Sequence, residues 1–210
     1  MAAGDEHPPE DLTGRARIRD AALEEFGAKG VRGATVRGIA ARAGVSPALV
    51  QHHFGTKDGL RRACDQHVLG FIRREADAAR MGDALTEPAY LTEVFRTAPR
   101  VQRYLARALV DGSPEAATLF DDLVTLTEPN LADPPDATGT PHDRALVLTA
   151  MRLGVIVMHE HLSRGLGADV FGRAAAIRVG RASLDLMNPA LLPAELIEQA
   201  RAAFGPEGSA

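Results

Sequence analysis

The sequence predicts an all-α protein: three short N-terminal helices forming a compact unit, then a larger helical body. No stretch alternates apolar and polar residues long enough to argue for a strand. Turn dipeptides instead separate segments with helical spacing. Several of those segments begin at a Ser or Thr able to cap a helix and end at a Gly able to stop one.

The first helix is expected from about Thr13 to Lys29, with Ile18, Ala22 and Phe26 at i, i+4 and i+8 and Gly30 as the stop. Thr35 caps the second, which places Val36, Ile39, Ala40 and Ala43 on one face and closes at Gly44. Ser46 caps the third. Pro47 takes its first position, where a missing N–H costs nothing, and Val45 and Val50 form a hydrophobic staple. Thr56 caps a fourth helix reaching roughly Arg80. Beyond it, helices are expected near 87–97, 99–110, 114–132, 142–165, 173–187 and 193–204. Pro129 should shorten or kink the one at 114–132, and Pro134–Pro141 reads as a loop. There is no internal repeat and no heptad run of coiled-coil length.

Composition narrows the function. No segment approaches the roughly 20 apolar residues of a membrane span. The N-terminal stretch MAAGDEHPPEDL is acidic and polar, unlike a signal or transit peptide, and reads as a flexible tail over residues 1–12. A single cysteine, Cys64, leaves no internal disulfide framework, so the expected compartment is the cytoplasm. The net charge of −4 conceals a division. Residues 1–12 carry −4, residues 13–62 carry +6 and residues 63–210 carry −6. A cationic module on an anionic body points to a polyanion at one end.

Within that module, two short helices joined by Ala-Gly-Val-Ser have the layout of a helix-turn-helix. On the second, Val50 and Phe54 face the core, while Ala48, Leu49, Gln51 and His52 face outward and His53 partly packs. Such a helix enters the major groove of double-stranded DNA with its first residues, Ser46, Pro47, Ala48 and Leu49, leading. Gln can bond adenine, and Ala or Leu can meet a thymine methyl. His52 would change from base reader to phosphate binder on protonation. Lys57, in a first helical turn where a cation opposes the macrodipole, makes sense beside a phosphate. Thr35 and Arg37, opening the second helix, could hold a neighbouring phosphate.

Residues 13–62 resemble the DNA-binding domain of TetR-family transcriptional repressors. The resemblance rests on Ala-Ala-Leu-x-x-Phe, the Gly30 stop, Thr-Val-Arg-x-Ile-Ala, Ala-Gly-Val-Ser, His-Phe and the Lys that follows. Two departures stand out. Gln51 occupies a position usually held by a Tyr that contacts the DNA backbone, so it either keeps a phosphate contact or reads a base. Gly38 stands where an acidic residue is common. The resemblance implies a ligand-responsive repressor bound to a palindromic operator. It also implies that residues 63–210 form a domain for dimerisation and for binding a small, largely apolar effector.

The sequence agrees with a homodimer through helices 142–165 and 173–187, since the first is apolar on too many sides for one wet face. Phe95, Tyr104, Phe120, Met151 and Met158 are the candidates for effector contacts, on helices that surround the cavity in that family. His159, Glu160 and His161 lack the i, i+4 spacing of a helical zinc site, so no metal is expected. No phosphate loop or nucleophile elbow is present, so neither an enzyme nor a cofactor is expected. Two alternatives remain at this level: an all-helical enzyme with an unrecognised active site, and a constitutive DNA binder without effector.

Overall fold

The computed structural model describes residues 9–81, 88–132 and 139–186, and among these it is helical with no strand. In chain order the helices are α1 (Pro9–Gly33), α2 (Val36–Ala43), α3 (Pro47–Phe54), α4 (Lys57–Met81), α5 (Pro88–Ala108), α6 (Pro114–Thr127), α7 (Pro141–Val157), α8 (His159–Leu166) and α9 (Arg173–Leu186). A 3-10 turn, Glu128–Asn130, follows α6. Residues 1–8 of the expected tail, the expected helix at 193–204 and most of the Pro134–Pro141 loop lie outside the described residues.

Several boundaries differ from the sequence reading, each for a local reason. The helix starts at Pro9, so the last four residues of the expected tail are helical. Gly30 breaks α1 without ending it: its φ of 72° and ψ of 164° suit only glycine, and one further turn follows to Gly33. The segments 87–97 and 99–110 form one helix, α5, with Pro99 inside it. The expected 142–165 helix is broken at Met158, with a 61° bend between α7 and α8. There the His159 ring lies 3.1 Å from the Ile156 carbonyl and stacks on Phe171, with centroids 5.0 Å apart. Both interactions draw His159 away from the axis of α7.

One core joins the two halves. Ile18, Leu23 and Phe26 of α1 are buried with Ile39 of α2 and Val50 of α3, and continuously with Leu60 and Val68 of α4 and Tyr104 of α5. Cys64 lies inside it, and burial pushes its thiol well above the ordinary range, away from reactive thiolate. α1 makes its most extensive contact with α5, not with its own neighbours α2 and α3. The crossing is close at Gly27, where an added Cβ would lie 3.2 Å from the Arg103 carbonyl carbon and 3.3 Å from the Tyr104 nitrogen. α4 runs unbroken through the expected boundary between residues 62 and 63, so one helix serves both the N-terminal unit and the body.

Candidate nucleic-acid interface

The turn between α2 and α3 is built by its caps. Thr35 accepts from the Gly38 amide at 3.0 Å. Gly44, at a φ of 66°, closes α2 in the left-handed conformation. Arg17 of α1 donates to the Ala43 carbonyl at 2.6 Å, placing a cation on the C-terminal end of α2. Ser46 accepts from the Leu49 amide at 3.2 Å, and Pro47 opens α3. Buried Val50 anchors α3 on α1 and α2, with Val45 and Phe54 half-buried beside it.

The outward arc of α3 is then fixed. Ser46, Pro47, Ala48, Gln51 and His52 are exposed. Leu49 departs from the outward position the helical wheel gave it: it is half-buried and packs on the core. His53 faces inward beside Gly14, its Nε2 about where a Cβ on that glycine would touch it, at 3.6 Å. It also lies edge-on to His52, with ring centroids 5.4 Å apart. Of the expected reading residues, Gln51, His52 and Ala48 remain free to reach a groove, whereas Leu49 and His53 serve mainly to hold the helix.

The expected phosphate-side residues converge. The Lys57 ammonium donates to the Ala34 carbonyl at 3.3 Å, which sets it beside the N-terminal turn of α2 opened by Thr35. An ammonium has three donors, so two remain, and the Thr35 hydroxyl can still donate while its oxygen caps Gly38. Arg37 is exposed, with no carboxylate partner among the described residues. Nearby acids are neutralised elsewhere: Glu25, only 3% exposed, binds Lys29 at 2.6 Å and Arg42 at 2.8 Å. The hydrogen bond from Lys29, aided by Arg42, holds its carboxyl below the ordinary value of 4.5 despite burial. Gly38 faces this cluster, its Cβ position 3.4 Å from Glu25 Oε2, so the acidic residue common there would crowd a buried carboxylate.

Sequence reasoning missed two parts of this surface. The first is the joint between α3 and α4. Gly55, at a φ of 66° and a ψ of −68°, makes a γ-turn. In it the Thr56 amide donates to the Phe54 carbonyl at 2.7 Å. That carbonyl sits over the first turn of α4, so a Cβ on Gly59 would overlap its oxygen. The run Gly55-Thr-Lys-Asp-Gly59 held the signal, in two glycines four residues apart. The second is Arg15, whose guanidinium lies 5.3 Å over the Phe54 ring and adds a cation at the end of α3.

In the body, the five expected effector residues do not gather around one cavity. Tyr104 is wholly buried, and its hydroxyl donates to Asp65 at 2.5 Å. Phe95 is half-buried under the Arg173 guanidinium, 5.1 Å from its ring. Met151 and Met158 are 65% and 50% exposed. Phe120 alone among them lines an open cleft of about 550 Å³ between α6 and α7, with Leu109, Ala116, Ala150, Leu153 and Val157. The mismatch arises because α7 is apolar on two sides. Ala145 and Leu153 point inward, while Leu146, Val147 and Met151 point out. At the edge of the cleft, buried Arg61 of α4 donates to Ser113 at 3.1 Å and lies 3.5 Å from Glu115 and 3.8 Å from Asp111.

Comparisons with known proteins agree with this geometry. Residues 18–64 match the family described as bacterial regulatory proteins, tetR family. The HTH-type transcriptional regulatory protein RaaS of Mycobacterium tuberculosis is 44% identical over 119 residues, covering 56% of this chain and 55% of that protein. The HTH-type transcriptional regulator BetI of Rhizobium meliloti is 38% identical over 90 residues, covering 43% of this chain and 44% of its own length. The chain thus spans about half the length of the curated relatives it matches. In shape it is similar to a TetR-family transcriptional regulator from Rhodococcus sp., with a TM-score of 0.53 at 20% identity over 70% of this chain and 87% of that one. It is also similar to a structure concerned with control of antibiotic production by bacterial hormones, with a TM-score of 0.51 at 26% identity over 74% and 87% of the two chains. The cap-built turn, the exposed arc of α3 and the match over residues 18–64 lead to one assignment: residues 18–64 form a helix-turn-helix domain of the family described as bacterial regulatory proteins, tetR family.

Proposed function

We propose that this chain is a sequence-specific DNA-binding transcriptional regulator, a repressor acting as a homodimer on a palindromic operator. The observation that carries the reading is the outward arc of α3, with Gln51 and His52 exposed, flanked by Lys57 and the N-terminal turn of α2. That arrangement divides labour in the manner DNA requires: cations and amides for phosphates, amide and ring edges for bases.

Dimerisation is supported by the outward face of α7. Leu146, Val147 and Met151 expose apolar surface there, and Ile177 of α9 does so too. A contiguous apolar face of this kind marks an interaction site. A symmetric pairing would present two copies of α3 to two half-sites. For the effector, the cleft at Phe120 is the better-supported place, because its walls are largely apolar and the Ser113 end touches Arg61 of α4, the helix that also carries Lys57. A ligand there would act on DNA only by preferring one arrangement of α4, a preference typically worth about 1–3 kcal/mol.

Selection of binding sites from a random duplex pool tests the reading. A palindromic consensus bound by a dimer is expected; enrichment of no sequence over the pool would reject it.

A further inference from the structure

A helix lying in the major groove sits between two sugar-phosphate backbones, and contacts to both fix its register. The cations placed so far, Lys57 and Arg37, gather at the N-terminal end of α2. Residues 13–62 hold ten Lys and Arg side chains. Four of them, Arg19, Lys29, Arg42 and Arg61, pair with carboxylates. Arg17 and Lys57 donate to backbone carbonyls. Arg15, Arg32, Arg37 and Arg62 have neither kind of partner among the described residues.

Arg15 alone of these four has its guanidinium held by another side chain. It lies 5.3 Å from the centroid of the Phe54 ring, at the last residue of α3. A ring contact spends none of the five guanidinium N–H donors, so all remain for an anion. The preceding residue, Gly14, lies against His53, whose ring meets that of His52 on the reading arc. Arg15 is exposed, as a ligand for an external polyanion must be. A groove of about 350 Å³ between α1, the end of α3 and α4 is lined by Arg15, Arg19, Phe54, Gln66 and His67, and no described carboxylate lines it to repel a phosphate. Two residues further along α1, Arg17 binds the C-terminal end of α2, whereas Lys57 binds at its N-terminal end. The eight residues of α2 place those ends about 12 Å apart.

We propose that Arg15, held by Phe54, is a second phosphate ligand, binding a DNA phosphate different from the one bound at Lys57; the assignment rests on the DNA-binding reading. Phe54 is a positioning residue. Its ring stations the guanidinium before DNA arrives, so less side-chain freedom is lost on binding. The reading arc of Gln51 and His52 is then anchored twice, by Lys57 with the first turn of α2 and by Arg15 at the end of α3.

Ethylation interference on the selected operator, read for the full chain and its variants, tests this by identifying the phosphates each protein needs. The parent should need at least two phosphates per half-site; Arg15→Gln should cease to need one of them and Lys57→Ala another. In anisotropy titrations, Arg15→Gln should weaken operator and random duplex alike, roughly tenfold at low salt, and lower the salt slope by about one unit. Phe54→Leu keeps an apolar side chain at the joint but removes the ring. It should weaken binding less than Arg15→Gln does, and add nothing in the double variant. Circular dichroism confirms that each variant is folded. The assignment is overturned if Arg15→Gln leaves the phosphate map and the salt slope unchanged, if it releases the same phosphate as Lys57→Ala, or if the losses from Phe54→Leu and Arg15→Gln add in the double variant. A parent that needs no phosphate overturns the DNA-binding reading itself, and this assignment with it.

Discussion

Two glycines of α4 should respond in opposite directions to the same substitution. Gly70 lies in mid-helix, and an added Cβ there would meet only the end of the flexible Arg74 side chain, at 3.5 Å. Gly70→Ala should therefore show the helix-propensity gain alone, about 0.8–1 kcal/mol of added stability. Gly59 has the same helical backbone, but its Cβ would overlap the Phe54 carbonyl oxygen, well inside the 3.4 Å at which ordinary contact begins. That oxygen belongs to a backbone held by the Gly55 turn and by the Thr56 amide, so it cannot swing aside as a side chain would. Relief requires α3 and α4 to part, which costs the roughly 1–3 kcal/mol of an overpacked core or more. After the propensity gain is subtracted, Gly59→Ala should destabilise by about 1–2 kcal/mol. It should also weaken DNA binding, because α3 moves relative to Lys57. Urea unfolding of both variants at constant m-value reads the stabilities, and fluorescence anisotropy reads the affinity. If Gly59→Ala is as stable as Gly70→Ala, the described joint between the reading helix and α4 is wrong.

Other consequences follow from single groups. Lys57→Ala should weaken operator and random DNA about equally and lower the salt slope by roughly one unit, read by anisotropy across a salt series. Met151→Glu puts a charge on the outward face of α7; light scattering at micromolar concentration should show a dimer for the parent and a monomer for the variant, with helical content unchanged. A monomeric parent would contradict the proposed interface. The folded pKa of Glu25 lies below 4.5, so its stabilisation is full above about that pH and is lost as pH falls through the lower folded value. Glu25→Gln should therefore lower stability at neutral pH and flatten the acid limb of a stability-versus-pH curve; an unchanged acid limb would show that the Lys29–Glu25–Arg42 cluster contributes nothing.

The N-terminal unit was legible because its signals are local. Thr35, Ser46 and Thr56 cap as expected, Gly44 stops α2, and Val50 takes the buried position that i, i+4 spacing gave it. What escaped depends on other segments. Leu49 is drawn inward by neighbours beyond its own helix, and the need for glycine at position 59 comes from a carbonyl five residues earlier in the preceding helix. The bend at Met158 comes from His159 meeting Phe171, twelve residues away. In the body, a count of apolar residues on α7 could not say which side faced the core. Met151 and Met158, which looked like cavity residues, therefore lie on the surface.

If exposed Gln51 and His52 on α3 read DNA sequence while Lys57 holds a phosphate, the three side chains should separate by the kind of DNA they distinguish. The most direct measurement is the affinity of the parent, Gln51→Ala and His52→Ala for the selected operator and for random duplex at one salt concentration. Loss of a base contact should cost about 1–3 kcal/mol on the operator and leave random DNA almost unchanged. Equal losses on both DNAs would move these residues to the phosphate backbone. No loss for either variant or for Lys57→Ala would contradict DNA binding through this face of the protein.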